Sequence, residues 1–316
     1  MPTRRLSPVF LADLRILERK LAKAVDAGEP DRAVALAARV QELFAPNRHH
    51  HRLLRAKLSA FESCLDANRW QYAESGFLGI RRSAGKSTRL YLEASVLLAV
   101  CYLRKKEIPE AKQVTREVLK RLNNIQSDRK RQQFQRRVID RIEEESVLAS
   151  LLDTQVDPLN AREIQEAAER LAERSSDREI YTLIGDSLPT RGLSLLREVR
   201  AESVKQLPSA DRKMLPAPSE AAEPPSIGKK AFAALKRVSW KTLCAKDSPV
   251  YKLWSKRIPK VFDQGYFSAA IVTTFGDLRI GIPLIASGLV ALAMRYSAEE
   301  FCEIAKPKGI MTSRAE

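Results

Sequence analysis

Apolar residues in the first 120 positions of this chain recur at steps of three and four, and each such stripe is cut off by a turn before it can bury itself. Leu11, Leu14, Leu17, Leu21 and Val25 fall on one side of a helix, because residues three and four apart share a helical face. Gly28-Glu29-Pro30-Asp31 breaks that helix. Ala33, Leu36, Ala37 and Val40 carry the pattern on until Pro46-Asn47. Leu54, Leu58, Phe61 and Leu65 line a third helix, Asp66-Ala67-Asn68 turns the chain, and Trp70 to Ile80 returns. A third out-and-back unit runs from Leu90 to Leu103, through Lys105-Lys106-Glu107-Ile108, and back from Pro109 to Leu122. Pro109 suits a first helical turn, where a missing N–H costs nothing. One hairpin of this kind cannot hide its own stripe, so neighbouring hairpins must stack.

Composition agrees. Only 12 of 316 residues are glycine, aromatics are 6% and charged residues 30%. A chain rich in Ala, Leu, Glu, Lys and Arg favours helices, because these side chains lose little freedom there. Runs of β-branched residues with period-two alternation are scarce, and the expectation is an all-α fold.

The three hairpins share a register. A small residue opens each return helix, Ala33, Ala73 and Ala111, at intervals of 40 and 38. Nine positions before each stands Ala24, Cys64 or Tyr102, and three before that Leu21, Phe61 or Ala99. Four after come Ala37, Phe77 and Thr115. Over about residues 10–125 this resembles the tetratricopeptide repeat, with Ala99, Tyr102 and Ala111 on that family's small, aromatic and small positions. The spacing exceeds the family's usual 34 residues. The resemblance implies an α-solenoid whose first helices line a concave groove for a protein partner. That groove would include Asn68, Arg69 and exposed residues of the 52–65 and 90–103 helices.

A longer helix is expected from Ser127 to Leu152, with Phe134, Val138, Ile142 and Leu148 buried, as a cap on the array. Helices at about 161–174, 180–187 and 192–205 follow, the last two as a further hairpin. Residues 207–228 hold Pro208, Pro216, Pro218, Pro224 and Pro225. Proline at that density opposes helix and central strand alike. The expected organisation is therefore a repeat domain at 1–206, a proline-rich linker at 207–228 and a small apolar helical domain at 229–316.

That last segment contains two apolar runs, 267–275 and 280–294. The second has 15 uncharged residues, about 22 Å as a helix, short of the ~30 Å hydrocarbon core of a bilayer. Two readings stand: a buried helical hairpin in which Gly288 and Ala291 admit a neighbour, or a docking element for a partner or an anionic membrane. In the second, Leu284, Ile285, Leu289 and Leu292 would insert, with Trp254 at the interface and Lys229, Lys230, Lys236, Arg237, Lys252, Lys256, Arg257 and Lys260 facing lipid.

The net charge is +16, a field that attracts polyanions. Between Lys112 and Arg141 ten basic residues face three acidic ones. Arg129, Lys130, Arg131, Arg136 and Arg137 are candidate phosphate contacts, so nucleic acid is a further candidate partner. The absence of interleaved aromatics argues against a stacking platform. Glu143-Glu144-Glu145 reads as a solvated face or as helix i,i+4 partners.

No catalytic or cofactor chemistry is evident. Gly85-Lys86-Ser87-Thr88 lacks the preceding strand and the glycine that a phosphate loop needs, with Ile80 in its place. It reads as an inter-repeat turn. The only histidines, His49, His50 and His51, point in different directions on a helix and read as a turn rather than a metal site. No nucleophile–histidine–acid set can be assembled away from that turn. Cys64, Cys101, Cys244 and Cys302 stand far apart with no C-x-x-C pair, so the expectation is four buried free thiols in a reducing, cytoplasmic setting. The start, Met1-Pro2-Thr3-Arg4-Arg5, does not read as a secretory signal. The function expected is non-enzymatic: an adaptor that grips a protein partner in its groove, or else a membrane-acting or nucleic-acid-binding protein.

Overall fold

The N-terminal third is built from three antiparallel pairs: α1 (Pro8–Asp26) with α2 (Pro30–Leu43), α3 (His51–Asp66) with α4 (Trp70–Ser83), and α5 (Arg89–Arg104) with α6 (Ile108–Lys120). Each helix packs on the next in chain order. The computed structural model describes residues 7–45, 50–154, 157–205, 207, 209–213, 218–255, 265–307 and 309–310. Among them are seventeen α-helices and no strand. Pro46, Asn47, His49, Pro208, Pro216, Lys256, Arg257, Lys260 and Lys308 fall outside the described residues.

The shared register is a shared turn. Each first helix ends on a residue of positive φ: Gly28 (72°), Asn68 (62°) and Lys106 (62°). The N–H of the next residue then reaches back five positions, Glu29 to Ala24 O at 2.9 Å, Arg69 to Cys64 O at 2.8 Å and Glu107 to Tyr102 O at 2.9 Å. This six-to-one bond is the Schellman ending of a helix. Its acceptors are the three residues that stand nine positions before Ala33, Ala73 and Ala111. Those alanines are buried where each return helix crosses its partner. The array is thus a run of like hairpins stacked in series, an all-helical solenoid.

A 3-10 turn at Leu122–Asn124 leads into α7 (Asp128–Leu151), whose N-cap Ser127 accepts from Lys130 N. Phe134, Val138, Ile142 and Leu148 are buried as expected. The helix is not a terminal cap, however, because the chain covers its other side. α8 (Ala161–Arg174), α9 (Asp177–Asp186) and α10 (Thr190–Lys205) follow, with a single turn α11 (Ser209–Arg212) and another, α12 (Pro218–Ala221). α13 (Pro224–Cys244), α14 (Pro249–Trp254), α15 (Tyr266–Asp277), α16 (Pro283–Ala293) and α17 (Ala298–Ala305) complete the chain. The expected hairpin of 180–205 does not form: α9 packs against α13, and α10 lies on α7.

Two expectations about the last third are corrected. Prolines of the 207–228 segment open helices, Pro218 at the start of α12 and Pro224-Pro225 in the first turn of α13. There the missing N–H would have no intrahelical partner anyway. α13 then crosses α9 at Gly185 and Gly228, where any added Cβ would collide with backbone of the facing helix. As a result one apolar core runs from Val147, Ile164 and Ile184, before that segment, to Leu235, Ile271 and Leu289 after it. The second correction concerns cysteine. Cys244 and Cys302 form a disulfide across 58 residues, because the α15–α16 hairpin carries α17 back to the end of α13. Cys64 and Cys101 are free and buried, as expected.

Candidate functional site

Two of the three first helices of the array face inward. α1 and α3 form one wall of a chamber of about 1000 Å³, and α7, α13, the end of α17 and Lys306, Pro307, Gly309 and Ile310 form the rest. From α3 come Arg52, Arg55, Ser59, Glu62 and Asp66, from α7 Arg137, Asp140, Arg141 and Glu144, and from α13 Arg237, Trp240 and Lys241. Trp240 closes the far end. Its ring lies over the α1–α2 bend, where a Cβ on Gly28 would stand 2.6 Å from it. Its indole N–H donates to Cys302 O at 3.0 Å.

Behind the chamber sits a buried ionic network that joins α3, α5 and α7. Arg104 donates through Nε and Nη2 to the two carboxylate oxygens of Glu145 at 3.0 and 3.2 Å. Both side chains are only 2% exposed. Arg141 reaches Glu145 and Asp66, each at 3.2 Å. Burial raises the Glu145 carboxyl, but Arg104 and Arg141 outweigh it and hold the group below its ordinary range. Asp66 moves the other way, raised chiefly by burial. Glu62 is the surplus carboxylate. Burial, with the nearby charge of Asp66, pushes it up to about 7. Its Oε1 accepts the backbone N–H of Ile310 at 2.8 Å.

The acidic run 143–145 is therefore not a solvated face. Glu143 pairs with Arg200 at 3.1 Å and with Lys230, Glu144 with Arg237 at 2.7 Å, and Glu145 with Arg104. Three consecutive acids meet three different helices because the second half of α7, from Arg141 on, is covered on all sides. The sequence carried a signal for this: three adjacent residues on a helix point about 100° apart, so they cannot share one solvated face.

The basic stretch is dispersed in the same way. Arg129, Lys130 and Arg136 are exposed, while Arg131 and Arg137 are half-buried. Arg131 pairs with Asp128 at 2.7 Å, Lys112 with Glu198, and Arg137 turns into the chamber. In the groove, helix 52–65 contributes as expected, but α5 does not. From Leu90 to Arg104 only Tyr102 is even half-exposed, because α7 covers the face that would have been open. Asn68 instead accepts from Arg104 at 3.3 Å, and Arg69 forms an ion pair with Asp31.

The second apolar run is core. Ile285, Leu289 and Leu292 are buried against α8 and α9, and a Cβ on Gly288 would lie 2.8 Å from Ile184. Leu284 alone of the four is exposed, at 53%. The side chain of Trp254 lies outside the described residues. No described helix is long and apolar enough to cross a membrane.

No group of His, Cys, Asp and Glu that could hold a metal is present among the described residues. His50 caps α3 by accepting from Arg52 N at 3.2 Å. The Gly85–Thr88 segment is the bend between α4 and α5, and Thr88 caps α5 by accepting from Tyr91 N. The chain matches no protein-family model, no curated protein and no solved structure.

Proposed function

We propose that this chain is a binding protein that takes an extended segment of a protein partner into the chamber between its tetratricopeptide-like hairpins and α13. The observation that carries this reading is that a non-helical piece of the chain's own backbone already lies against the chamber. Lys306, Pro307, Gly309 and Ile310 line it, with the Ile310 main-chain N–H bound to a side-chain carboxylate of α3. The volume is in the range of a ligand site. Its charged walls suit a polar chain better than a greasy small molecule: seven acidic and seven basic residues line it.

The test is a photo-crosslinking amino acid at Arg55, which is exposed in the chamber, beside a control at Tyr72, which is exposed on α4 outside it. The Arg55 position is expected to capture a polypeptide and the Tyr72 position not to. Equal capture at both, or capture of nucleic acid or lipid alone, rejects the reading.

The exposed trio Arg129, Lys130 and Arg136 supports a second role at most, a weak polyanion contact on the outside of α7. Membrane insertion through α16 would require Ile285, Leu289 and Leu292 to leave a core they fill completely.

A further inference from the structure

We propose that the stretch carrying Lys306, Pro307, Gly309 and Ile310 is a built-in occupant of the chamber, standing where a partner segment of the same chemistry binds: a proline-containing stretch in which a glycine precedes a branched aliphatic residue. The proposal rests on the partner-binding reading above and gives that partner its chemical class. Four observations support it.

The segment is not helix that happens to fray. α17 ends at Ala305 and Lys306 leaves it at φ −52° and ψ 125°, and Pro307 opposes a continued helix. Gly309 and Ile310 then lie against α3. Ile310 is 4% exposed and belongs to the apolar core of the hairpin array, with Leu54, Leu58 and Leu65 of α3, and not to the core of the helices that precede it in sequence.

The residue before it is matched to glycine. A Cβ on Gly309 would stand 2.8 Å from Glu62 Oε2, so any side chain there forces Glu62 to shift. Glu62 in turn is wholly enclosed and pairs with no arginine or lysine at salt-bridge distance among the described residues; its hydrogen bond there is to Ile310 N. A buried carboxylate deprived of its donor is costly, so the position is built to receive a main-chain N–H. From α7, on another wall of the chamber, Arg141 is 4% exposed, and its Nε has no acceptor among the described residues. That is a donor available to a peptide carbonyl.

The segment is also short and leashed. Cys302, four residues before Lys306, is joined to Cys244, so the occupant cannot drift far when it lets go. A tethered ligand competes at an effective concentration in the millimolar range, which makes the intact chain selective for partners that bind tightly or arrive in excess.

The experiment uses the full chain and an acetylated, amidated peptide of residues 303–310 carrying a fluorophore. Ile310→Asp should dislodge the segment, and the variant should then bind the peptide at least tenfold more tightly than the parent. Equal binding by the two, or no binding by a variant whose helical content and melting match the parent, overturns the proposal. So does a variant that dimerises without binding peptide, since a second copy would then be the occupant. Hydrogen exchange on Glu62→Ala gives an answer that does not depend on the Ile310 variant folding. The Ile310 amide should exchange at least tenfold faster than in the parent, and unchanged protection counts against the contact. The two readings separate cleanly. Partner capture at Arg55 with no peptide binding retains the function and removes the built-in occupant. Peptide binding with no capture does the reverse.

Discussion

Glu62 carries the clearest consequence at the scale of single residues. An ordinary glutamate titrates near 4.5, and this one near 7 in the fold. Between those values the folded chain holds a proton that the unfolded chain has released, so this group's contribution to stability is complete below about pH 4.5 and is lost as pH rises through 7. Glu62→Gln keeps an acceptor for Ile310 N without the charge. Its melting temperature relative to the parent should therefore be higher at pH 8 than at pH 5; a difference independent of pH counts against the shift. The opposite case is Arg104. Removing one partner of a buried ion pair is costly; Arg104→Ala leaves Glu145 with Arg141 alone and should lose about 3 kcal/mol in denaturant unfolding, the low end for such a pair. A loss under about 1 kcal/mol would mean that Arg141 suffices for Glu145. Neither residue stood out in the sequence. Glu62 reads as one acid among 39, because nothing local announces that a segment 248 residues away will bury it. The alanines at 33, 73 and 111 did stand out, since close helix crossing is a demand that a single hairpin makes on its own residues.

Among elements, the hairpins were readable and the long-range partners were not. Stripe, turn and return lie within about 40 residues of one another, so the period shows. The pairing of α13 with α9 rests on Gly185 and Gly228, two glycines 43 apart with no repeat to flag them. A methyl group at either position meets facing backbone that cannot rotate away. Gly185→Ala and Gly228→Ala should each cost about 3 kcal/mol, the upper end for overpacking, whereas Gly79→Ala, with open space around it, should be neutral or slightly stabilising as a helix substitution. The disulfide was missed for a related reason: cysteine spacing says little when a separation of 58 residues is spanned by a hairpin that folds on its own. Denatured protein should titrate two thiols without reductant and four with it. In the chain-entropy account a loop of that size is worth about 4 kcal/mol, so reduction should lower the denaturation midpoint. Four thiols before reduction would remove the bridge from the description.

For the molecule as a whole, α7 is the decisive part, because it belongs to two cores at once. Phe134 and Ile142 pack with the hairpins, and Val147, Leu148 and Leu151 pack with α8, α9 and α13. Its acids are neutralised by residues from both sides. Heating should therefore give one cooperative transition seen alike by helix signal and tryptophan fluorescence; two separated transitions would show that the halves melt apart. The net charge of +16 made a polyanion surface look attractive, but Arg131, Arg137 and Arg141 of the basic stretch turn to ion pairs or to the chamber, and only the distribution in space could show that. Binding to a random DNA duplex should accordingly depend little on Arg129, Lys130 and Arg136, with their joint replacement by glutamine changing affinity less than the salt slope of a true phosphate grip would require. A further consequence concerns the order of synthesis. The lid that Trp240 forms over the bend at Gly28 comes from the last third of the chain, and at ~5–20 residues per second that third leaves the ribosome on the order of ten seconds after the hairpins. A nascent chain whose hairpins have already emerged thus carries an open trough until α13 has been made and has folded across it.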